Sequence, residues 1–231
     1  MPISLESAAR LLLEHADGND VPAGLEESLG GLRSALLPRE PYDGPMHSLA
    51  TREVAALFVQ PEGCYSRMPG VDPWPESRDA RTYAGPHPVV AHPPCATWGR
   101  YAHKAGGKGN DGGCFASALA SVRRWGGMLE HPATSDAWRV YGLPRPADSP
   151  DAWGGWSVHV LQHWWGHDAL KPTLLYVCGV DTVSVPPCRI RPTLRPLEHL
   201  SKTQRAASPP AFAAWMVAVA RSCRPAADPT A

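Results

Sequence analysis

The sequence lacks an excess of charge of either sign: Lys plus Arg number 22 and Asp plus Glu number 22. That balance excludes a strong global field for nucleic acid or a membrane surface, so any basic patch must be local. The six cysteines contain no CxxC pair, which argues against a zinc knuckle. No charged segment followed by a short apolar run opens the chain, which argues against secretion. No apolar run approaches the roughly 18 residues needed to cross a bilayer. These absences together predict a soluble, cytoplasmic protein with reduced thiols and no membrane partner. What is abundant is proline and glycine, 26 and 21 residues, placed mostly between apolar runs where they punctuate the chain and forecast long loops.

A chain of 231 residues can bury one sizeable core. The first part holds two helical candidates, about Ser4 to His15 and Leu25 to Leu36, with Leu5, Ala8, Ala9 and Leu12 at helical spacing. The proline-rich stretch Pro38 to Pro45 reads as a boundary, so residues 1–45 are expected to be a helical extension. Beyond it, Ala55 to Val59, Pro88 to Ala91, Gly127 to Glu130, Ser157 to Gln162 and Thr173 to Gly179 read as strands. Phe115, Ala118, Leu119 and Val122 form a helical stripe between the second and third of these. Phe212, Trp215, Met216, Val219 and Cys223 form another in a helix entered through Pro209 and Pro210. Alternating strands and helices predict an α/β domain over residues 46–223, with a mostly parallel sheet whose chemistry lies at the carboxyl ends of its strands. Residues 224–231 are expected to be a disordered tail.

Two strand ends draw attention. His92-Pro-Pro-Cys95 closes one, and a cysteine fixed behind two prolines suits a nucleophile that must approach a carbon atom accurately. Glu130-His-Pro132 closes the next, and a carboxylate directly after Met128 and Leu129 is better explained as a site residue than as core. Between them lies Ala96 to Ala105, with Trp98 and Tyr101, and then the glycine-dense Gly106 to Gly113, which is expected to be mobile and lid-like.

This order of features resembles the cytosine-C5 DNA methyltransferase family, in a short, divergent form of phage type. In that family a proline-cysteine pair ends a strand, a mobile loop follows, a helix crosses, and the next strand ends in glutamate. Cys95, Gly106 to Gly113 and Glu130 stand in those places, with His131 where asparagine is commoner. Lys171 and Thr173, before the strand from Leu174, replace a usual pair of arginines, and Gln204 to Pro210 resembles the closing segment. The resemblance implies a Rossmann-like methyltransferase-type fold with Cys95, Glu130 and Lys171 in catalysis. It implies that S-adenosylmethionine lies against Phe58, Gly63, Asp72, Asp79 and Pro93, and that Pro94, Trp98, His131, Thr173 and Arg205 meet the substrate, most plainly DNA.

The chemistry accounts for these residue types. Cytosine C5 takes a methyl group only after a thiolate adds at C6, the role of Cys95. A carboxyl with a raised pKa can protonate N3 during that addition, the role of Glu130. In a duplex the base must first leave the stack, with Trp98 and Tyr101 available to fill the space. The family's glycine-rich turn is reduced here to Gly63 and Gly70, and the family's region for reading DNA sequence shrinks to Val180 to Ser208. The chain would then recognise little sequence, borrow specificity from a protein partner, or act on another pyrimidine-containing substrate, and Arg189, Arg191, Arg195, Lys202 and Arg205 are the candidates for phosphate contacts. Two alternatives remain: a non-catalytic nucleic-acid-binding relative with a degenerate donor pocket, and a zinc-dependent base deaminase using His92, Cys95, Cys114 and His131. The second lacks the HxE and PCxxC motifs that such chemistry expects, and the remaining histidines group into no metal site.

Overall fold

The computed structural model of the protein describes residues 53–100, 102–185, 195–196 and 199–226. The expected extension over residues 1–45, together with Tyr101, Arg189 and Arg191, lies outside the described residues. The fold below belongs to the second of the chain's two units, Pro45–Ala231. Its sheet has six strands, β1 (Val54–Leu57), β2 (Val71–Trp74), β3 (Val89–Ala91), β4 (Gly127–Pro132), β5 (Trp156–Leu161) and β6 (Pro172–Cys178). They lie in the order β2-β1-β3-β4-β6-β5. The helices are α1 (Cys114–Trp125), the single turn α2 (Ala137–Val140), α3 (Lys202–Ala206) and α4 (Pro210–Ser222).

The α/β class holds, but the sheet is mixed rather than mostly parallel. β1 pairs in parallel with β2 and β3, and β3 with β4, whereas β6 runs antiparallel to both β4 and β5. The reason is length. The link from Leu161 to Pro172 holds one 3-10 turn and a glycine turn, and a parallel partner would need a crossover of a dozen residues or more. A second difference is β2, whose central Pro73 argues against a strand. Proline is tolerated here because β2 lies at the sheet edge, paired on one side only.

Strand residues alternate between two cores. Ala55, Leu57, Val89, Ala91, Leu129 and Tyr176 pack with Phe115, Ala118, Leu119 and Val122 of α1. Val54, Ala56, Val90, Met128, Leu175 and Val177 pack with Phe212, Ala213, Met216, Val217 and Ala220 of α4. The two helical stripes expected from spacing therefore cover opposite faces, and each fully buried Leu, Met or Phe stabilises by roughly 1.5–3 kcal/mol. The entry to β4 is set by Gly127. Its φ of +132° suits glycine, and a Cβ there would collide with the Val89 backbone, so β3 and β4 close only around a residue without a side chain.

The first residues of the expected tail are held. Arg224 N donates to Gly179 O at 2.9 Å, and Ala226 N donates to Arg123 O at 3.3 Å. The loop before β5 is pinned by Asp151. Its Oδ2 accepts from Arg123 Nη2 at 2.7 Å and from the Tyr176 hydroxyl at 2.9 Å, and its Oδ1 accepts from Trp153 N and Gly155 N.

Candidate functional site

The strand order reverses direction at β1: the chain moves outward to β2, then returns past β1 to β3. The carboxyl ends of β1 and β3 therefore flank a topological switch point, where open α/β sheets place ligands. Register then assembles the site. Ala91 of β3 pairs with Leu129 of β4, so the next residues, His92 and Glu130, emerge side by side on the α4 face. His92 Nδ1 lies 3.1 Å from Glu130 Oε2. His92 Nε2 lies 2.7 Å from the hydroxyl of Tyr65, a residue brought from the turn after β1. On the other side, Gln162 Nε2 donates to Glu130 Oε1 at 3.0 Å and to Thr173 Oγ1 at 3.1 Å. A continuous polar belt, Tyr65–His92–Glu130–Gln162–Thr173, thus crosses the strand ends.

Cys95 stands at the mouth of this belt, exposed together with Pro94, while Pro93 is buried beneath them. The thiol is pushed above its ordinary range by desolvation first and by the Glu130 charge second, and Lys171 opposes that rise. Lys171 is itself lowered, chiefly by burial, against the pull of Glu130 and Cys95. These three groups therefore influence one another's charge. Lys171 adopts a left-handed φ of 45°, and its Nζ donates to Ala207 O at 2.8 Å, just past α3. The exposed Arg205 of α3 is brought to the same side by this tie and by the 3.3 Å contact of His167 Nε2 with Gln204 O.

Glu130 departs from expectation. Burial raises its pKa, but the His92 hydrogen bond and the charges of His92, Lys171 and His131 outweigh it, so the carboxyl sits below its usual range. It rests ionised and holds no proton ready for a base. His131 departs as well. One residue along β4 its side chain faces the α1 core, 1% exposed, with ring contacts to Phe115 and Trp138, and burial pushes its pKa down to about 4. It supports the site from below rather than meeting a substrate. Thr173 is equally buried, accepting from Gln162 and donating to Lys171 O, so it orders the belt.

Trp98 is core, not a base-stacking residue. It is 3% exposed, packs on Phe115 and Tyr141, and its Nε1 donates to Asp111 Oδ2 at 3.0 Å. The same Asp111 accepts from Gly113 N and Phe115 N at the head of α1, and Gly109 N donates to Thr97 O. The glycine-dense segment expected to be a mobile lid is thereby laced onto Trp98.

Of the residues expected to hold S-adenosylmethionine, the two acids are already paired within the fold. After β1, Phe58 turns with φ +59° and donates its N–H to Trp74 O. The stretch to β2 forms one 3-10 turn, Cys64–Arg67, entered at Gly63, and this turn carries Tyr65 onto His92. Asp72 lies within β2, with its oxygens engaged by Trp74 Nε1 and Arg78. Asp79 is exposed and paired with Arg81. The donor set of the zinc reading is dispersed too. His92 is taken up by Glu130 and Tyr65, Cys114 opens α1, and no three His, Cys, Asp or Glu side chains gather as a metal site among the described residues. Of the tail arginines, Arg195 donates to His199 O.

Tyr65, His92 as a partner of Glu130, and Gln162 were not singled out by sequence for these roles. His92 was visible as the residue before the two prolines, whereas Tyr65 and Gln162 belong to no motif and reach the site only through the fold. No helix among the described residues is long and apolar enough to cross a membrane. No family model, curated protein or solved structure matches the chain.

Proposed function

We propose that the chain is a pyrimidine-modifying enzyme of the cytosine-C5 methyltransferase kind, acting on DNA through a covalent Cys95 adduct. The observation that supports this reading is an exposed thiol sharing its electrostatic neighbourhood with an ionised, doubly anchored carboxylate and a lysine, at the switch point of the sheet. The Cys95 S–H bond would break as sulfur adds at C6, and N3 would take up that proton, leaving C5 electron-rich. Lys171 favours the thiolate by its charge, against the two influences that raise the thiol pKa. Asp72 and Asp79, expected to hold S-adenosylmethionine, are paired with Arg78 and Arg81, so no step is assigned to that molecule.

The same observation favours a second reading, a nucleic-acid-binding relative without catalysis. One experiment separates the two. Protein incubated with DNA containing 5-fluorocytosine and S-adenosylmethionine is expected to give a denaturation-resistant adduct that disappears in Cys95→Ser. DNA binding without any adduct, combined with no heat of binding for S-adenosylmethionine, would establish the non-catalytic relative instead.

A further inference from the structure

The turn that anchors Glu130 also carries two indoles. Gln162 opens a single 3-10 turn, Gln162–Trp165, at the carboxyl end of β5 and donates to Glu130 Oε1 at 3.0 Å. Trp164 and Trp165 follow within that turn, with ring centroids 5.9 Å apart. Trp165 meets Trp215 of α4 at 4.9 Å, and Trp215 lies 5.9 Å from Phe212. Phe212 is fully buried, whereas each of the three indoles keeps part of its surface exposed. Half-covered indoles side by side form a contiguous apolar patch, the kind that marks an interaction surface.

Basic groups border this patch. The chain from Gln162 to Lys171 is tied to α3 and its end at two points, His167 Nε2 to Gln204 O at 3.3 Å and Lys171 Nζ to Ala207 O at 2.8 Å. Arg205 lies between those two ties in sequence and is exposed, and Arg195 N donates to Asp168 O at 2.9 Å. Asp168 is the one acidic residue from Leu161 to Cys178, set against Lys171, Arg195 and Arg205.

Aromatic faces beside cations suit a strand whose bases are open and whose backbone carries phosphates. A base within a duplex has both faces covered by its neighbours and offers these rings nothing to stack on. The other side of the site points the same way. Trp98, in the loop after Cys95, is a core residue, and residues 106–113 are held to that loop through Asp111 and Gly109. Both are committed to the fold rather than to the space that a flipped base leaves in a duplex.

We propose that Trp164, Trp165 and Trp215, bordered by Arg205, form a docking surface for single-stranded DNA, and that an unpaired strand is the substrate class of the Cys95 site. Bases flanking the target stack on the indoles, Arg205 meets a phosphate, and the target pyrimidine reaches Cys95 without having to leave a duplex. What happens at the target base rests on the reading of Cys95 given above, whereas the docking of the strand stands on this surface alone.

The test uses the full-length protein and one fluorescein-labelled, cytosine-containing oligodeoxynucleotide, either single-stranded or annealed to its complement. Anisotropy titrations are expected to show the single strand bound roughly 10-fold tighter or more than the duplex. Trp164→Leu should weaken single-strand binding by roughly 10-fold. Trp164→Phe keeps an aromatic face and gives up an N–H that has no partner among the described residues, so it should restore most of that affinity. Arg205→Ala, at an exposed position, should lower the slope of log K against log salt by roughly 0.7, the share of one phosphate. A duplex bound as tightly as the single strand, or a Trp164→Leu protein that binds like wild type, would overturn the proposal. Should Trp164→Leu fail to fold, Arg205→Ala decides, and an unchanged salt slope then overturns it.

Exchange at C5 in heavy water separates this from the reading of Cys95, and no methyl donor is needed. Sulfur bonds to C6 as its own proton passes to N3, and C5 gains a deuteron from solvent and then loses its original proton to solvent. The C6–S bond then breaks as C5=C6 re-forms and N3 returns its proton to sulfur. Faster exchange in the single strand than in the duplex supports the proposal, and equal exchange in both overturns it without touching Cys95. A strand that binds as described and never exchanges refutes the reading of Cys95 and leaves the docking surface standing.

Discussion

Asp151→Asn should destabilise the fold substantially although it lies away from the strand ends that carry the chemistry. Asp151 Oδ2 receives Arg123 Nη2 at 2.7 Å and the Tyr176 hydroxyl at 2.9 Å, and Oδ1 receives two backbone N–H groups at 2.9 Å each. Asparagine keeps the acceptor for the backbone pair, but presents an NH2 group to two donors. Two charge-assisted bonds are lost, and a guanidinium with 21% side-chain exposure is left without its carboxylate. Fully buried breakage would cost roughly 3–5 kcal/mol. Discounting for partial solvent access, about 2–3 kcal/mol is expected, a fall in Tm of roughly 5–10 °C for a domain of this size.

The pH dependence gives the sharper check. Burial opposes ionisation of Asp151, but the bonds from Arg123, Gly155, Tyr176 and Trp153 outweigh it, so its pKa lies below the ordinary value. A depressed carboxylate adds stability that is complete above the unfolded pKa and is lost as pH falls through the folded one. Thermal unfolding followed by circular dichroism should show the full wild-type advantage at neutral pH, shrinking only below about pH 4. In an Arg123→Met background the asparagine substitution should cost clearly less, because the two residues share one interaction. An unchanged Tm at neutral pH, or a gap that stays constant into strong acid, would refute the argument.

Two further predictions concern the site. Trp98→Ala removes a core ring and should cost about 3–5 kcal/mol in denaturant unfolding. Trp98→Phe, which loses the Asp111 bond but retains much of the packing, should exchange C5 hydrogen within a few-fold of wild type. A Trp98→Ala protein as stable as wild type would restore the lid reading. Gln162→Leu should cost about 1–3 kcal/mol by leaving a Glu130 oxygen unpaired, read as a lower denaturant midpoint at unchanged slope; an unshifted midpoint would show that the belt is not anchored from the turn after β5.

The fold was legible where periodicity speaks. The stripes Phe115–Val122 and Phe212–Val219 are α1 and α4, because buried helices repeat apolar residues every three or four positions. The direction of β6 was not legible, since an apolar run carries no sign of its orientation and only the shortness of the preceding link reveals it. At the site, Cys95 and Glu130 stood out because a rigid strand-end thiol and a carboxylate after an apolar run are costly to explain as packing. Their neighbours did not. His131 looked as functional as Glu130, yet successive strand residues face opposite ways, and the pairing of Ala91 with Leu129 sends Glu130 to His92 and His131 into the core. Trp98 was ambiguous because one indole suits a stacking surface or a core equally, and its bond to Asp111 decides the matter. Tyr65 and Gln162 meet Glu130 and His92 across long separations in sequence that no local spacing encodes.

Deuterium incorporation at C5 of cytosine in an oligodeoxynucleotide, read by mass spectrometry without any methyl donor, probes the central pair directly. The wild-type protein should label C5, Cys95→Ser should label nothing above buffer, and Glu130→Gln should be slower by roughly 100-fold or more. Labelling that persists in Cys95→Ser, or a wild-type protein that binds the oligonucleotide and never labels it, would contradict the convergence of thiol and carboxylate on one ring.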